Sequence, residues 1–319
     1  MTWLIWRQHR AEALALVVLI AAIGAALVIV GQPMHDLFPN GASRCVPPTT
    51  DRACIVGLAT LQQSYDFAAP MLALLNFVPL AIGAFLGAPL LARELELGTW
   101  QLAWTQAVPR MRWLAAKLVA LAGLTVALGA AFTGAVAWFR QPLDLFGRFD
   151  ITGFDLSGIV PMAYGLFAFA IAALAGALLR RSLPAYATAI VVFVTVRIAV
   201  ATWLRPQFRA PITLTQEIPP GSRELRLAAK PLDWNLGEGF ADASGKHFSE
   251  LSSTIWEHKA TDAGIDPATY LHEHGILRWI TYHPADRLAG FQLIESTLYV
   301  GLAALLLALL VWRVKRRAL

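Results

Sequence analysis

Four separate stretches of this chain run for more than 20 residues without a single Asp, Glu, Lys or Arg: 13–35, 67–92, 118–139 and 156–179. A helix rises 1.5 Å per residue, so about 20 apolar residues cross the roughly 30 Å hydrocarbon core of a bilayer. Two shorter charge-free runs, 182–196 and 296–312, reach that length when extended past Arg197 and back through Glu295. The pattern predicts six transmembrane helices, at about 12–31, 69–91, 115–138, 158–179, 183–204 and 289–312. Core helices of a large soluble enzyme would not give four windows of this length. Charged residues make up only 15% of the chain, against about 25% in an ordinary soluble domain. That excludes a single soluble domain, and it excludes disorder, which needs high charge and low hydrophobicity.

Six spans put both termini on one side, and the distribution of Lys and Arg says which. The N-terminus, the 92–114 loop and its flank to Lys117, the Arg180-Arg181 turn and the C-terminus together hold twelve bases against three acids. The opposite loops hold more acids than bases. Both termini are therefore read as cytoplasmic. The basic balance is a consequence of membrane topology. No basic stripe interleaved with aromatics points to nucleic acid. The N-terminal apolar run is longer than the core of a signal peptide and no clear cleavage site follows, so it reads as a retained anchor. Before it, Trp3, Trp6, Arg7, His9 and Arg10 suit the headgroup zone and read as a short interfacial helix.

The domain reading is 1–204 for five helices and the cytoplasmic loop, 205–288 for an extracellular region, and 289–319 for the sixth helix with a basic tail. The fold class is an all-α polytopic membrane protein with a small mixed α/β region between helices five and six. In that region 211–218 and 223–229 flank Pro219-Pro220-Gly221-Ser222 and read as strand, turn and strand. The second half reads as helical, with Asp266 as N-cap, Pro267 at the first helical position and Gly275 as the stop. Cys45 and Cys54 share the first outside loop, nine positions apart, and read as a local disulfide in an oxidising compartment.

Motifs for catalysis are sparse. The chain has no G-x-x-x-x-G-K-[ST], no H-E-x-x-H and no G-x-S-x-G. His272 and His274 point to different faces of a helix and would need His258 and His283 to complete a metal site. Within the spans the polar residues are few: Asn76, Arg197 and Glu295. Arg197 and Glu295 both lie about seven residues from the outer end of their spans, roughly 10 Å deep. Matched depth and opposite charge predict an intramembrane ion pair. Gly83 and Gly87 in span two, and Ala168, Ala172 and Gly176 in span four, are small residues four apart that permit close helix packing, within one subunit or across a dimer seam. Pro79 and Pro89 predict kinks.

The loop between spans two and three carries most of the functional argument. Leu97, Trp100 and Trp104 recur at helical spacing, Thr99, Gln101, Thr105 and Gln106 lie elsewhere on that helix, and Pro109 ends it. The result is a short amphipathic helix beneath the membrane, either a connector on lipid or a handle for a cytoplasmic partner. The order acid, Gly-Thr, short helix, Pro-Arg, Lys resembles the coupling region of ABC-2 type transporter permeases. The matching residues are Glu94, Glu96, Gly98, Thr99, Pro109, Arg110 and Lys117. The opening residues Trp3 to Arg10 and the Tyr282-His283-Pro284-Ala285-Asp286-Arg287 lead into span six also resemble bacterial, actinobacterial-type members.

That resemblance implies one half of the membrane part of an ABC exporter in a bacterial plasma membrane. It implies that helix 97–108 docks on a separate ATP-binding subunit, with Glu94, Glu96, Gly98, Thr99, Trp100, Trp104, Pro109 and Arg110 as the coupling residues. ATP and Mg then belong to that partner, and this chain binds no cofactor. A second permease chain, identical or similar, completes the pathway. The 205–288 region is longer than the short re-entrant segment usual in the family. The competing readings are a membrane-embedded enzyme using His272, Glu273 and His274, and a non-catalytic scaffold or immunity protein.

Overall fold

The computed structural model describes residues 2–47, 49–96, 110–220, 230, 232–248 and 258–316. The expected coupling helix, with Gly98, Thr99, Trp100, Trp104 and Pro109, lies outside the described residues, as does the expected strand 223–229. The chain divides into two compact units, Met1–Arg205 with Ala289–Leu319, and Pro206–Leu288.

The first unit is helical. α1 (Thr2–Asp36), α2 (Arg52–Ser64), α3 (Ala68–Leu75), α4 (Val78–Gly87), α5 (Pro89–Glu96), α6 (Arg110–Arg140), α7 (Val160–Leu179), α8 (Ser182–Ala199) and, after the second unit, a C-terminal helix (Leu288–Arg316) follow in chain order. Among the described residues six helical stretches are long and apolar enough to cross a membrane, with α3, α4 and α5 together forming the second. Val18, Ile29, Val119 and Leu183 are each at least 66% exposed. A water-soluble protein could not carry so large an apolar surface, whereas hydrocarbon solvates it. The core lies between the helices, around Leu16, Met34, Leu72, Phe132, Phe139 and Phe169.

Two expectations about the spans change. Residues 2–10 form no separate interfacial helix; they are the opening turns of one continuous α1. No Gly or Pro stands between Thr2 and Ile23 to interrupt it. Span two is three short helices, with Pro79 in the first turn of α4 and Pro89 opening α5. Each proline lacks the N–H that would continue the preceding helix, so it sits where a helix begins.

The small-residue stripes of spans two and four face each other inside the subunit. A Cβ on Gly83 would fall onto the Gly165 carbonyl oxygen and 2.6 Å from the Phe169 nitrogen. On Gly176 it would meet the Ala88 carbonyl oxygen at 2.7 Å. Backbone is the neighbour in each case, so α4, α5 and α7 approach as closely as glycine and alanine allow.

In the loop after α1, Cys45 and Cys54 form a disulfide with Cα atoms 5.2 Å apart. Asp51 caps α2 by accepting from the Ala53 N–H at 2.9 Å.

The second unit holds β1 (Ile212–Glu217), β2 (Trp234–Ala241), α9 (Pro267–Glu273) and β3 (Leu277–His283), which makes the C-terminal membrane helix α10. The sheet is antiparallel in the order β1-β3-β2. Asp266 caps α9 through Thr269 N–H, and Gly275 takes a left-handed φ of 64° after it. The all-helical reading of the second half fails at β3, which is the central strand. Its partners lie 36 or more residues earlier, and β2 carries Gly237 and Gly239, poor strand formers in isolation. Their missing side chains leave room for Trp279, whose indole N–H donates to the Phe240 carbonyl at 3.2 Å. Ile218, Phe240, Ala268, Leu271 and Ile276 form the core of this unit.

Candidate functional site

Two clusters of polar residues stand out in the membrane unit. The first surrounds α5, the last described helix before residues 97–109. Its three charged residues reach three different neighbours. Arg93 NH1 donates to Glu12 Oε1 on α1 at 2.9 Å. Glu94 Oε1 accepts from Lys117 Nζ on α6 at 2.5 Å and from Gln8 Nε2 on α1 at 3.3 Å. Glu96 accepts from the Ser182 N–H at 2.7 Å and from its hydroxyl at 2.9 Å. The N-cap residue of α8, Arg181, supplies no side-chain cap of its own. Glu96 therefore caps α8 from another helix, placing a negative charge where the exposed N–H groups and the helix dipole favour one.

Lys117 is 1% exposed, and its ammonium also lies 4.4 Å from the centre of the Trp113 ring. A buried ammonium needs a paired carboxylate, and Glu94 provides it. Of the expected coupling residues, Glu94 and Glu96 are thus interhelical ties, and the backbone of Arg110 opens α6.

The second cluster lies within the bundle. Asp155 Oδ2 accepts from Arg197 NH2 at 2.8 Å, and its Oδ1 accepts from Arg205 NH2 at 2.5 Å. Glu295 accepts from Arg205 Nε at 2.7 Å and NH2 at 2.8 Å, a two-point pairing of guanidinium and carboxylate. The Tyr164 hydroxyl lies 3.0 Å from Asp155 Oδ1 and 2.5 Å from Glu295 Oε1, and its single proton serves one carboxylate at a time. Arg197 also donates to the Asn76 carbonyl at 2.9 Å and to its side-chain oxygen. Asp155, Arg205 and Glu295 are each no more than 2% exposed. Two cations and two carboxylates balance, as a low-dielectric interior requires. The turn that presents Asp155 is held by Gln292, whose amide donates to the Phe154 and Ser157 carbonyls, both at 3.2 Å.

This corrects the expected direct pair between Arg197 and Glu295. The structure gives each a different partner, Asp155 for Arg197 and Arg205 for Glu295. Depth alone did not decide the matter, because Asp155 and Arg205 reach the same level from the edges of their spans. The span bounds 158–179 and 183–204 leave both just outside the membrane helices. The available signal was position: Asp155 directly precedes a charge-free window and Arg205 directly follows a span.

The chain matches the family model described as ABC-2 membrane transporter related over residues 17–205. It belongs to that family. No curated protein and no solved structure matches it. This ABC-2 family member is thus a multi-pass membrane protein and the membrane component of an ABC transporter, a role that is not itself enzymatic. The matched stretch contains α5, its partners Lys117 and Ser182 and three of the four buried charges, while the α1 partners Gln8 and Glu12 precede it. Glu295 and the whole 206–288 unit fall outside it.

Elsewhere, among the described residues, no group of three or more His, Cys, Asp and Glu is placed to hold a metal ion. His274 stacks on Tyr270 with ring centres 4.1 Å apart, and its Nδ1 lies 2.7 Å from the Tyr270 carbonyl oxygen. It is engaged within its own helix.

Proposed function

We propose that this chain is the permease subunit of an ABC exporter, driven by a separate ATP-binding subunit that grips residues 97–108 from the cytoplasm. The observation that carries this, beside family membership, is the wiring of α5. Arg93, Glu94 and Glu96 stand immediately before that segment and connect to α1, α6 and α8. A displacement applied to the segment is delivered to three helices at once. The buried ionic network supports the complementary half of the mechanism: it ties the start of α7, the end of α8 and α10 into one group. Rigid movement of packed groups about a central pathway is the simplest form of alternating access.

In this reading ATP and Mg act in the partner, and closure of two partner subunits brings two coupling segments together. A second permease chain, the same or similar, forms the other wall. Linkage requires that cargo and ATP each favour the state the other needs. The 206–288 unit, outside the family match, faces the exterior by the distribution of basic residues.

The test is purification from native membranes in mild detergent, with partners identified by mass spectrometry. A stoichiometric protein carrying a P-loop is the expected result. In that complex, Trp100→Asp or Trp104→Asp is expected to abolish cargo-stimulated ATPase activity while the bundle stays folded. Retention of full stimulation in both variants would refute the coupling assignment. Absence of any ATPase, under conditions that hold a known transporter together, would refute the transporter reading of the assembly.

A further inference from the structure

The regular turns of α8 run to Ala199. Val200–Leu204 then form a π turn, in which the Arg205 N–H reaches the Val200 carbonyl five residues back. Arg205 follows directly and is one of the two cations of the buried network. We propose that this turn is a register switch that holds Arg205 in the network or withdraws it. The inference concerns α8 and its buried partners and does not depend on the exporter reading.

Helical phase explains why the turn is there. An α-helix turns about 100° per residue, so Arg197 and Arg205, eight apart, would point about 80° away from each other. Arg205 would then nearly share the direction of Ile198, which is exposed. An i→i+5 bond takes one extra residue into the turn. The eight residues then sweep the angle of seven, and the two arginines align to within about 20°. The contacts agree: both guanidinium groups donate to Asp155, one to each carboxylate oxygen.

Little else fixes this register. Of the five residues only Val200 is buried, while Thr202, Trp203 and Leu204 are exposed. A π turn is a rare conformation. The two-point grip of Glu295 on Arg205 is the strong interaction that favours it here. The alternative is an unbroken α-helix of the same residues. Leu204 then takes the present direction of Arg205, and Arg205 swings about 100° to the exposed side. An apolar side chain replaces a charge in the interior, and Arg197 keeps Asp155. Glu295 loses its cation, so a charged Glu295 disfavours the α form and a neutral one permits it. Two registers are shifted only by a group that interacts with them unequally, and Glu295 is that group.

The experiment uses the full-length chain purified in detergent. Cys45 and Cys54, its two cysteines, are joined, so Leu204→Cys supplies a single free thiol for a neutral maleimide. Leu204 is 44% exposed and Trp203 67%. Glu295→Gln keeps the side-chain shape and removes the charge. It is expected to slow labelling at position 204 on the order of tenfold, the equivalent of one charge-assisted hydrogen bond. Trp203→Cys, which in the α form takes the present direction of Leu204, should stay reactive. Deleting Ala201 removes the extra residue and leaves both arginines in phase on a plain α-helix. That protein should melt no lower than the native chain, whereas deletion of exposed Val191, within the regular part of α8, should lower the melting temperature. With Ala201 deleted, Glu295→Gln should no longer slow labelling at position 204. An unchanged rate there, an equal change at both positions, or a slowing that survives the deletion overturns the switch. Deletion of Ala201 as damaging as that of Val191 overturns the phase relation beneath it.

Discussion

The wiring of the buried network makes a prediction that can be read from four double substitutions. Replacing one cation and one carboxylate by leucine keeps the interior neutral in every case. Removing Asp155 with Arg197 leaves Arg205 on Glu295 through two bonds of 2.7 and 2.8 Å. Removing Arg205 with Glu295 leaves Arg197 on Asp155 at 2.8 Å. Removing Arg197 with Glu295 leaves Arg205 on Asp155 at 2.5 Å. Removing Asp155 with Arg205 leaves Arg197 and Glu295, whose charged partners have both gone. Arg197 keeps Asn76 and the face of the Tyr164 ring, neither of them charged, and Glu295 keeps the Tyr164 hydroxyl. Stranding a buried charge costs about 3–5 kcal/mol, whereas replacing an intact pair by apolar side chains is often nearly neutral. The Asp155→Leu/Arg205→Leu protein should therefore be less stable than the other three by about 3 kcal/mol, on the order of a hundredfold in the unfolding equilibrium. Equilibrium unfolding in mixed micelles titrated with sodium dodecyl sulfate measures the difference. If that double variant matched the other three, or exceeded them, Arg197 and Glu295 would be direct partners after all and the network drawn here would be wrong.

The tight seam between spans two and four gives a second test. Gly83→Ala should destabilise the bundle by about 1–3 kcal/mol, since the new methyl meets backbone that cannot rotate away. Gly123→Ala and Gly134→Ala, with nothing within 4 Å, should be neutral or stabilising by up to about 1 kcal/mol. Thermal unfolding in detergent that fails to separate the two classes would reject the packing. Reducing the Cys45–Cys54 disulfide, or Cys45→Ser/Cys54→Ser, should cost about 2–3 kcal/mol for so short a loop, checked by the same unfolding assay and by thiol labelling. Finally, burial pushes the His283 imidazole below its ordinary value of 6.5, with Arg287 adding to the effect. Its Nε2–H donates to the Pro206 carbonyl at 3.0 Å while Nδ1 faces Arg287 at 3.2 Å. The neutral form is the one that folds, so its contribution is complete above pH 6.5 and is lost as pH falls from there through the lowered folded value. Hydrogen exchange across β3, corrected for intrinsic rate, should accelerate as pH falls below about 6.5 and lose that dependence in His283→Gln.

Much of the architecture was legible because a bilayer turns thickness into length. A charge-free window of 20 residues needs no tertiary information to be recognised as a span. The Asp266-Pro267 helix start and the Cys45–Cys54 loop were equally local, each closing over nine residues or fewer. The central strand β3 was not, because a strand is defined by its partners and those lie in a different part of the chain.

The same division runs through the functional clusters. Glu94 and Glu96 could be singled out from their place before the amphipathic loop, but not the helices they hold, which are 23 and 86 residues away. Arg197 and Glu295 announced themselves as charges in apolar windows, where a partner is obligatory. Which partner was decided only by folding, since Asp155 lies 42 residues before Arg197, and Arg205 lies 90 before Glu295. Hydrophobic length is a one-dimensional property, and the sequence determines it alone. Charge pairing in a low-dielectric interior depends on distances of a few ångströms between separate helices, and only their packing sets those.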